Sequence, residues 1–348
     1  MLLKATGIAK FTVPIKGQCS KNNFYGSVEI EDKFSILEGQ HSQLLKEILL
    51  INSEDTLKIF LEENHNTLHL IEVILFQRLR TNLEGSKTSD LMTRLARDML
   101  ESQLKAKGEV ELINALPNCE ISVTKEGKTG LILTQIASIY RSQPGLFDLG
   151  VYILNNKTKN EFIFSDSPVV FYNMAYKHIQ DSGTLGLQSP GLLIFYPISI
   201  DKCILFIDEQ KYIGEIIDNN FFDITNEFDV NSINKLQLHH SLDSVYFSET
   251  NNHKYIVKLW RQERNTFNKK YSTLVSYNEV INGEVQDNSK LLKSFAEQIP
   301  YDLKLSFIRP NEKNDKKIKR FRTKKLHDIL QESRKDIKEL REEVRNDK

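Results

Sequence analysis

The stretch EFIFSDSPVVFYN, residues 161–173, poses the fold question. Two β-branched and aromatic runs, 162–164 and 169–172, flank Ser165-Asp166-Ser167-Pro168, so a carboxylate and two hydroxyls stand where a buried strand would place apolar side chains. Pro168 has no backbone N–H to give a sheet ladder, which confines it to a strand edge or a turn. One reading is a strand that ends at Ser165, an Asx-turn in which Asp166 accepts backbone N–H groups, and re-entry as an edge strand. The other is a pocket mouth, where neighbours fix the orientation and ionisation of the carboxylate.

Similar short runs rich in β-branched and aromatic residues lie on either side of this stretch, at 120–123, 149–154, 191–197 and 203–207, and are expected to be strands. The polar segment 155–160, NNKTKN, reads as the turn of an antiparallel hairpin over 149–164. Before Pro117 the apolar residues recur at three and four, as in Ile59, Leu68, Ile71, Leu75 and Leu79, which predicts helices over 29–50, 55–80 and 89–106. Ser53 and Thr56 offer capping chemistry for the second helix, and Gly85-Ser86 reads as its exit turn. Two more helices are expected over 130–142 and 230–242. Helices followed by strands give an α+β fold, with an N-terminal helical part packed on a mainly antiparallel sheet.

With 348 residues, 40% apolar and 27% charged, the chain can bury a sizeable core, and its 47 basic and 47 acidic residues cancel. Net charge therefore gives no reason to expect a strongly electrostatic partner for the whole molecule. Cys19, Cys119 and Cys203 are far apart and form no CxxC pair, which argues against a zinc ribbon or a disulfide framework. No apolar run approaches the roughly 20 residues of a membrane span, and the first residues lack an apolar core of signal-peptide length. A reducing, cytoplasmic location without membrane contact is expected.

Six segments occur in an order that resembles a known family: GQCSKNNFYG (17–26), ILEGQHS (36–42), FQRLRT (76–81), FIFSDSPVVF (162–171), GLLIFYPISIDKCILF (191–206) and NSINKLQLHHSLDSVYFS (231–248). The chain resembles the prokaryotic family known as domain of unknown function 4238, over about residues 5–250. That family opens with a Gln-His-x-x-Pro-x-x-Tyr-Leu segment, which this sequence lacks. The resemblance implies no settled activity. At the level of general analogy it suggests an accessory or effector protein of a defence locus.

The candidate catalytic residues are Asp166, Glu38, Arg78 and Ser165. Arg78, at the inner end of an apolar helix, is expected either to pair with Glu38 or Asp166 or to clamp a phosphate or carboxylate. Other motifs carry less. His65 and His69 share a helical face with Glu72 but lack the general-base glutamate of a zinc protease, since position 66 is Asn. Asp201 followed by Glu209-x-Lys211 has the residue order of a restriction-type nuclease, which would hold a divalent metal. His239-His240 reads as a packed or surface pair, and Cys203 as a buried, inert thiol.

Residues 313–325 hold eight Lys or Arg against one Asp, and beyond them Leu326, Leu330, Ser333, Ile337, Leu340 and Val344 step by four and three. The expected division is therefore one α+β domain over 1–310, then a basic linker and charged coiled-coil-like helix over 311–348. The tail either docks on the body, recruits a protein or nucleic acid, or stays solvated. Two functions remain open. One is an enzyme, such as a nuclease, acting on a phosphodiester or nucleotide, with Asp166 and Glu38 as acid, base or metal ligands and Arg78 stabilising negative charge. The other is a non-catalytic binding or accessory module whose polar centre is structural.

Overall fold

In the computed structural model, which describes residues 1–11, 13, 27–63, 65–179, 183–248, 252–267, 272–281, 284–311, 313, 322–324 and 326–332, a short strand β1 (Leu2–Leu3) precedes a helical third. Its helices are α1 (Val28–Leu50), α2 (Glu54–Glu62), α3 (Asn66–Leu79), α4 (Asn82–Lys107), α5 (Val110–Ala115), α6 (Lys125–Ala137) and α7 (Ile139–Ser142). Ser53 and Thr56 form a capping box at the start of α2. The helix expected over 55–80 is two helices. Asn66 Nδ2 and Thr67 Oγ1 donate to the carbonyls of Phe60 and Leu61, ending α2, and His65 turns the chain at φ +64°. Gly85 lies in the first turn of α4 rather than in an exit turn. A Cβ there would come within 2.7 Å of Ile132 Cδ1, so glycine lets α4 and α6 close on each other.

The strands follow: β2 (Gly150–Asn156), β3 (Phe164–Ser165), β4 (Val170–Tyr172), β5 (Leu193–Pro197), β6 (Lys202–Ile207), β7 (Tyr212–Ile213) and β8 (Phe221–Ile224). The main sheet has the order β4-β5-β6-β2-β8, antiparallel except for the β2–β8 pair. Its strands read as continuous apolar runs because both faces are covered, so alternate side chains enter different cores. Val151, Ile153, Ile194, Ile204 and Phe206 pack with the helical third. Tyr152, Leu154, Leu193, Phe195 and Leu205 pack on the other face with α8 (Glu227–His240) and the segment 303–308. Lys202 joins the layers by donating to the last carbonyls of α1, at Leu49 and at Ile51 (2.6 Å). The fold is α+β.

The expected hairpin over 149–164 does not form. The Asn156 side chain ties the turn internally, accepting from Thr158 N–H (2.9 Å) and donating to Asn160 O (2.6 Å), and the chain leaves the sheet. β2 pairs instead with β6 and β8, and β3 joins a second sheet of order β1-β9-β3 through β9 (Ser244–Tyr246). Residues 120–123 belong to no strand. The helix α9 (His253–Glu263) packs on α8 with Trp260 over β1, and β10 (Ser272–Ile281) with β11 (Glu284–Ala296) forms a long antiparallel ribbon. A last strand, β12 (Arg309–Pro310), pairs with β7.

The described part of the tail docks. Arg322, in the stretch weighed as a solvated linker, is buried; its Nη2 lies 2.6 Å from Asp148, and Nη1 and Nη2 also reach the carbonyls of Leu187 and Gly145. Leu326 and Leu330 follow it into the body. Positions 333, 337, 340 and 344 of the apolar seam, and most of the basic stretch, lie outside the described residues. No described helix is long and apolar enough to cross a membrane.

Candidate functional site

One edge of β3 is paired by β9, and the other is served by side chains. Asn234 and Gln237, three apart on one face of α8 and fully buried, run along residues 161–168. Asn234 accepts from Ile163 N–H (3.0 Å) and donates to Glu161 O (2.8 Å). Gln237 Oε1 accepts from both the N–H and the hydroxyl of Ser165 (3.1 and 2.8 Å), and its Nε2 donates to Pro168 O (2.9 Å). Two amides thus replace a partner strand, meeting four backbone groups on either side of and within the Ser-Asp-Ser-Pro interruption.

Asp166 caps the chain beyond α8. Its carboxylate accepts the N–H groups of Leu242 (2.8 Å), Asp243 (2.7 Å) and Ser244 (3.0 Å), three successive donors. Burial raises its pKa, against the lowering effect of those three bonds. Lys4 closes the same end of α8 by donating to the carbonyls of His239 (2.9 Å) and Ser241. Burial pushes the Lys4 ammonium down to about 8, opposed by the charges of Asp166 and Asp243.

Behind this turn lies a buried charge cluster. His240 Nδ1 is 2.8 Å from Ser167 O; a carbonyl can accept but not donate, so the proton sits on Nδ1 and the Nε2 lone pair faces Lys87 Nζ at 3.4 Å. Burial, helped by Lys87 and Arg78, keeps this imidazole neutral. Glu84, in the first turn of α4, receives Lys87 Nζ at 2.7 Å and Arg78 Nη2 at 3.2 Å. Its desolvation opposes ionisation, but the two cations outweigh it and hold the carboxyl at about 2. The Arg78 guanidinium also lies 3.8 Å from the centroid of the Phe171 ring.

These contacts correct the expected partners of Arg78. It pairs with Glu84, not with Asp166 or Glu38, because the tight turn at Arg80-Thr81 brings α4 back over the end of α3. Glu38 instead pairs with Arg80 on the outer side of the helical layer, where its side chain is 44% exposed. Asp166, tied to residues 242–244, Ser165, tied to Gln237, and Arg78, tied to Glu84 and the carbonyl of Val169, thus hold one stretch of chain from different sides without their side chains pairing with one another, and Glu38 lies apart from all three. Sequence reasoning missed Glu84 and Lys87, although Thr81-Asn82-Leu83-Glu84 has the spacing of a capping box; Thr81 Oγ1 does accept Glu84 N–H.

The weaker motifs do not assemble. Among the described residues, no three His, Cys, Asp or Glu side chains are grouped to hold a metal. Asp201 and Glu209 lie beyond opposite ends of the six-residue strand β6, which itself spans roughly 20 Å at about 3.3 Å per residue, and Glu209 accepts the hydroxyl of Tyr152 at 2.7 Å. Cys203 is buried, with its thiol pKa pushed up by desolvation.

A cleft of about 270 Å³ opens between α8 and α9. Lys235, Lys258, Tyr255 and Tyr301 line it, with the amides of Asn160, Asn231 and Gln262 and the half-exposed ring of Phe228. Glu263 anchors its inner wall, taking Lys235 Nζ at 2.9 Å and His239 Nε2 at 3.0 Å. Burial outweighs Glu263 and keeps His239 neutral, so the Nε2–H donates to the carboxylate. The ring stacks on Tyr301 at 5.7 Å between centroids, and among the described residues its Nδ1 finds no partner. Nothing in the sequence joined Tyr301 to a helix some sixty positions upstream.

Residues 2–251 match the family described as "Protein of unknown function (DUF4238)". No curated protein and no solved structure matches the chain.

Proposed function

We infer that this chain, which belongs to the DUF4238 family, is a ligand-binding module that takes a phosphate ester of the nucleotide class in the cleft between α8 and α9. The supporting observation is the lining of that cleft: Lys258 supplies a cation for a phosphate beside Lys235, which Glu263 holds, while Glu227 at the rim is paired with Lys159, and Phe228 supplies a half-exposed ring on which a base can stack. Asn160, Asn231 and Gln262 offer donors and acceptors suited to the polar edge of a base. The cleft encloses one end of such a ligand and leaves the other over the rim. In this reading Asp166, Ser165 and Arg78 hold the fold that presents α8, which agrees with the engagement of both Asp166 oxygens by backbone N–H groups.

Fluorescence anisotropy with an N-methylanthraniloyl adenine nucleotide tests the proposal. Saturable binding is expected, weakened about tenfold by Lys258→Glu and by Phe228→Ala, each equivalent to about 1.4 kcal/mol. Both side chains are substantially exposed, so the variants should fold. Absence of saturable binding at millimolar nucleotide, or binding that neither variant alters, refutes it.

A further inference from the structure

On the opposite face of the sheet, the helical layer carries a second concavity that the first proposal does not use. It measures about 360 Å³ and lies between α1 and α3, with Tyr196 of β5 among its lining residues. Its walls are apolar: Leu45 and Leu49 from α1, Val73 and Phe76 from α3. Its polar lining residues are His41, Ser42, Lys46, Gln77, Tyr196 and the Arg80–Glu38 pair. The lining is therefore amphipathic, with a hydrocarbon surface and two cations against one carboxylate.

Two details indicate what such a groove lacks. His41 stands edge-on to Phe76, 5.2 Å between ring centroids, and its Nε2 is buried without a hydrogen-bond partner among the described residues. Burial, with Arg80 and His69 adding to it, pushes the imidazole down to about 4, so at neutral pH it is uncharged and carries one N–H. A buried polar atom left unpaired is costly, and because Nε2 has almost no accessible surface, only a ligand whose entry moves the side chains over it can supply the missing acceptor. Arg80, meanwhile, is held by Glu38 in a pair whose members are 29% and 44% exposed. Ion pairs this open contribute little and are readily exchanged.

We propose that this groove binds a monocarboxylic acid with an apolar body, a medium-chain or aryl acid, whose carboxylate displaces Glu38 from Arg80 and accepts the His41 N–H while its hydrocarbon lies against Leu45, Leu49, Val73 and Phe76. The volume holds on the order of twelve water-sized groups at about 30 Å³ each, enough for such a molecule. Glu38 then acts as a built-in competitor: it occupies the arginine when the groove is empty and must give way when the ligand arrives. Charge selects carboxylate over amine, and the apolar walls select a hydrophobic acid over acetate.

Calorimetric titration of the full chain with decanoate, 2-naphthoate and decylamine tests this. One-to-one binding of both acids is expected, without binding of decylamine. Arg80→Met should weaken decanoate about tenfold, whereas Glu38→Gln, which removes the competitor, should tighten it several-fold. The outward-facing Lys46→Glu provides a loss-of-affinity variant with little risk to folding, and Lys258→Glu, in the other cleft, should leave decanoate binding unchanged. Equal binding of decylamine, weakening by Glu38→Gln, or no saturable heat with either acid at millimolar concentration would overturn the assignment. Loss of nucleotide binding would leave this result untouched, since the two sites share no residue.

Discussion

Glu84→Gln removes the one carboxylate that Arg78 and Lys87 share in the buried cluster, and its cost can be worked from the structure. The carboxyl is held at about 2, against 4.5 for a free glutamate, a drop that corresponds to about 3 kcal/mol of stabilisation of the folded state. Leaving two buried cations uncompensated gives a similar figure, about 3–5 kcal/mol. The pH dependence follows from the sign. Because the folded pKa is depressed, the contribution is fully present above about 4.5 and is lost as pH falls towards 2. Urea denaturation of both proteins at pH 7, 5, 4 and 3 should show a difference of about 3 kcal/mol at the two higher values, shrinking at the lower ones. A difference below about 1 kcal/mol at pH 7, the range of a surface pair, would refute the cluster's role, as would a difference that stays constant down to pH 3.

Asp166→Asn keeps the shape of the side chain but turns an amide N–H towards three backbone donors, so at least one of Leu242, Asp243 and Ser244 loses its acceptor; a loss of about 1–3 kcal/mol is expected in the same assay, and an unchanged urea midpoint would contradict the capping role. Arg322→Met leaves Asp148 buried without its cation, at a cost of about 3–5 kcal/mol, and should speed limited proteolysis after residue 310; wild-type cleavage kinetics would show that the tail is not pinned there.

The legible part of this fold was its periodicity. Helices over α1, α4, α6 and α8, and the apolar strands β2, β5 and β6, follow from spacing three-four and from apolar runs, because both signals are local. The polar centre was legible in part. Asp166 and Ser165 stand out by interrupting an apolar run, and an N–H-accepting carboxylate is what the Asx-turn reading anticipated, although its donors come from beyond α8 rather than from its own turn. What the sequence could not reveal was the non-local pairing. The polar segment 155–160 suggests a hairpin over 149–164, but the partner of β3 lies some eighty positions downstream. The motifs point Arg78 at Glu38 and Asp166, whereas its partner, Glu84, is six residues away, just past the end of the helix, in a stretch that reads as an exit turn but is the first turn of α4. α9 and the β10–β11 ribbon left too weak a pattern to predict.

The replacement of a partner strand by the amides of α8 also bears on how the chain is made. The groups that satisfy Glu161, Pro168 and Asp166 come 73, 69 and 78 residues later. At a synthesis rate of about 5–20 residues per second, the segment leaves the ribosome roughly 4–15 seconds before its complement exists. During that interval an aromatic and β-branched stretch has unpaired backbone on both edges, the condition under which nascent chains associate with one another. Ser165, Asp166, Ser167 and Pro168 break that stretch into two short pieces, and a proline and a charge are what guard hydrophobic strands against such pairing. The residues that later fasten the turn to α8 thus also shield the unfinished chain while α8 is still being translated.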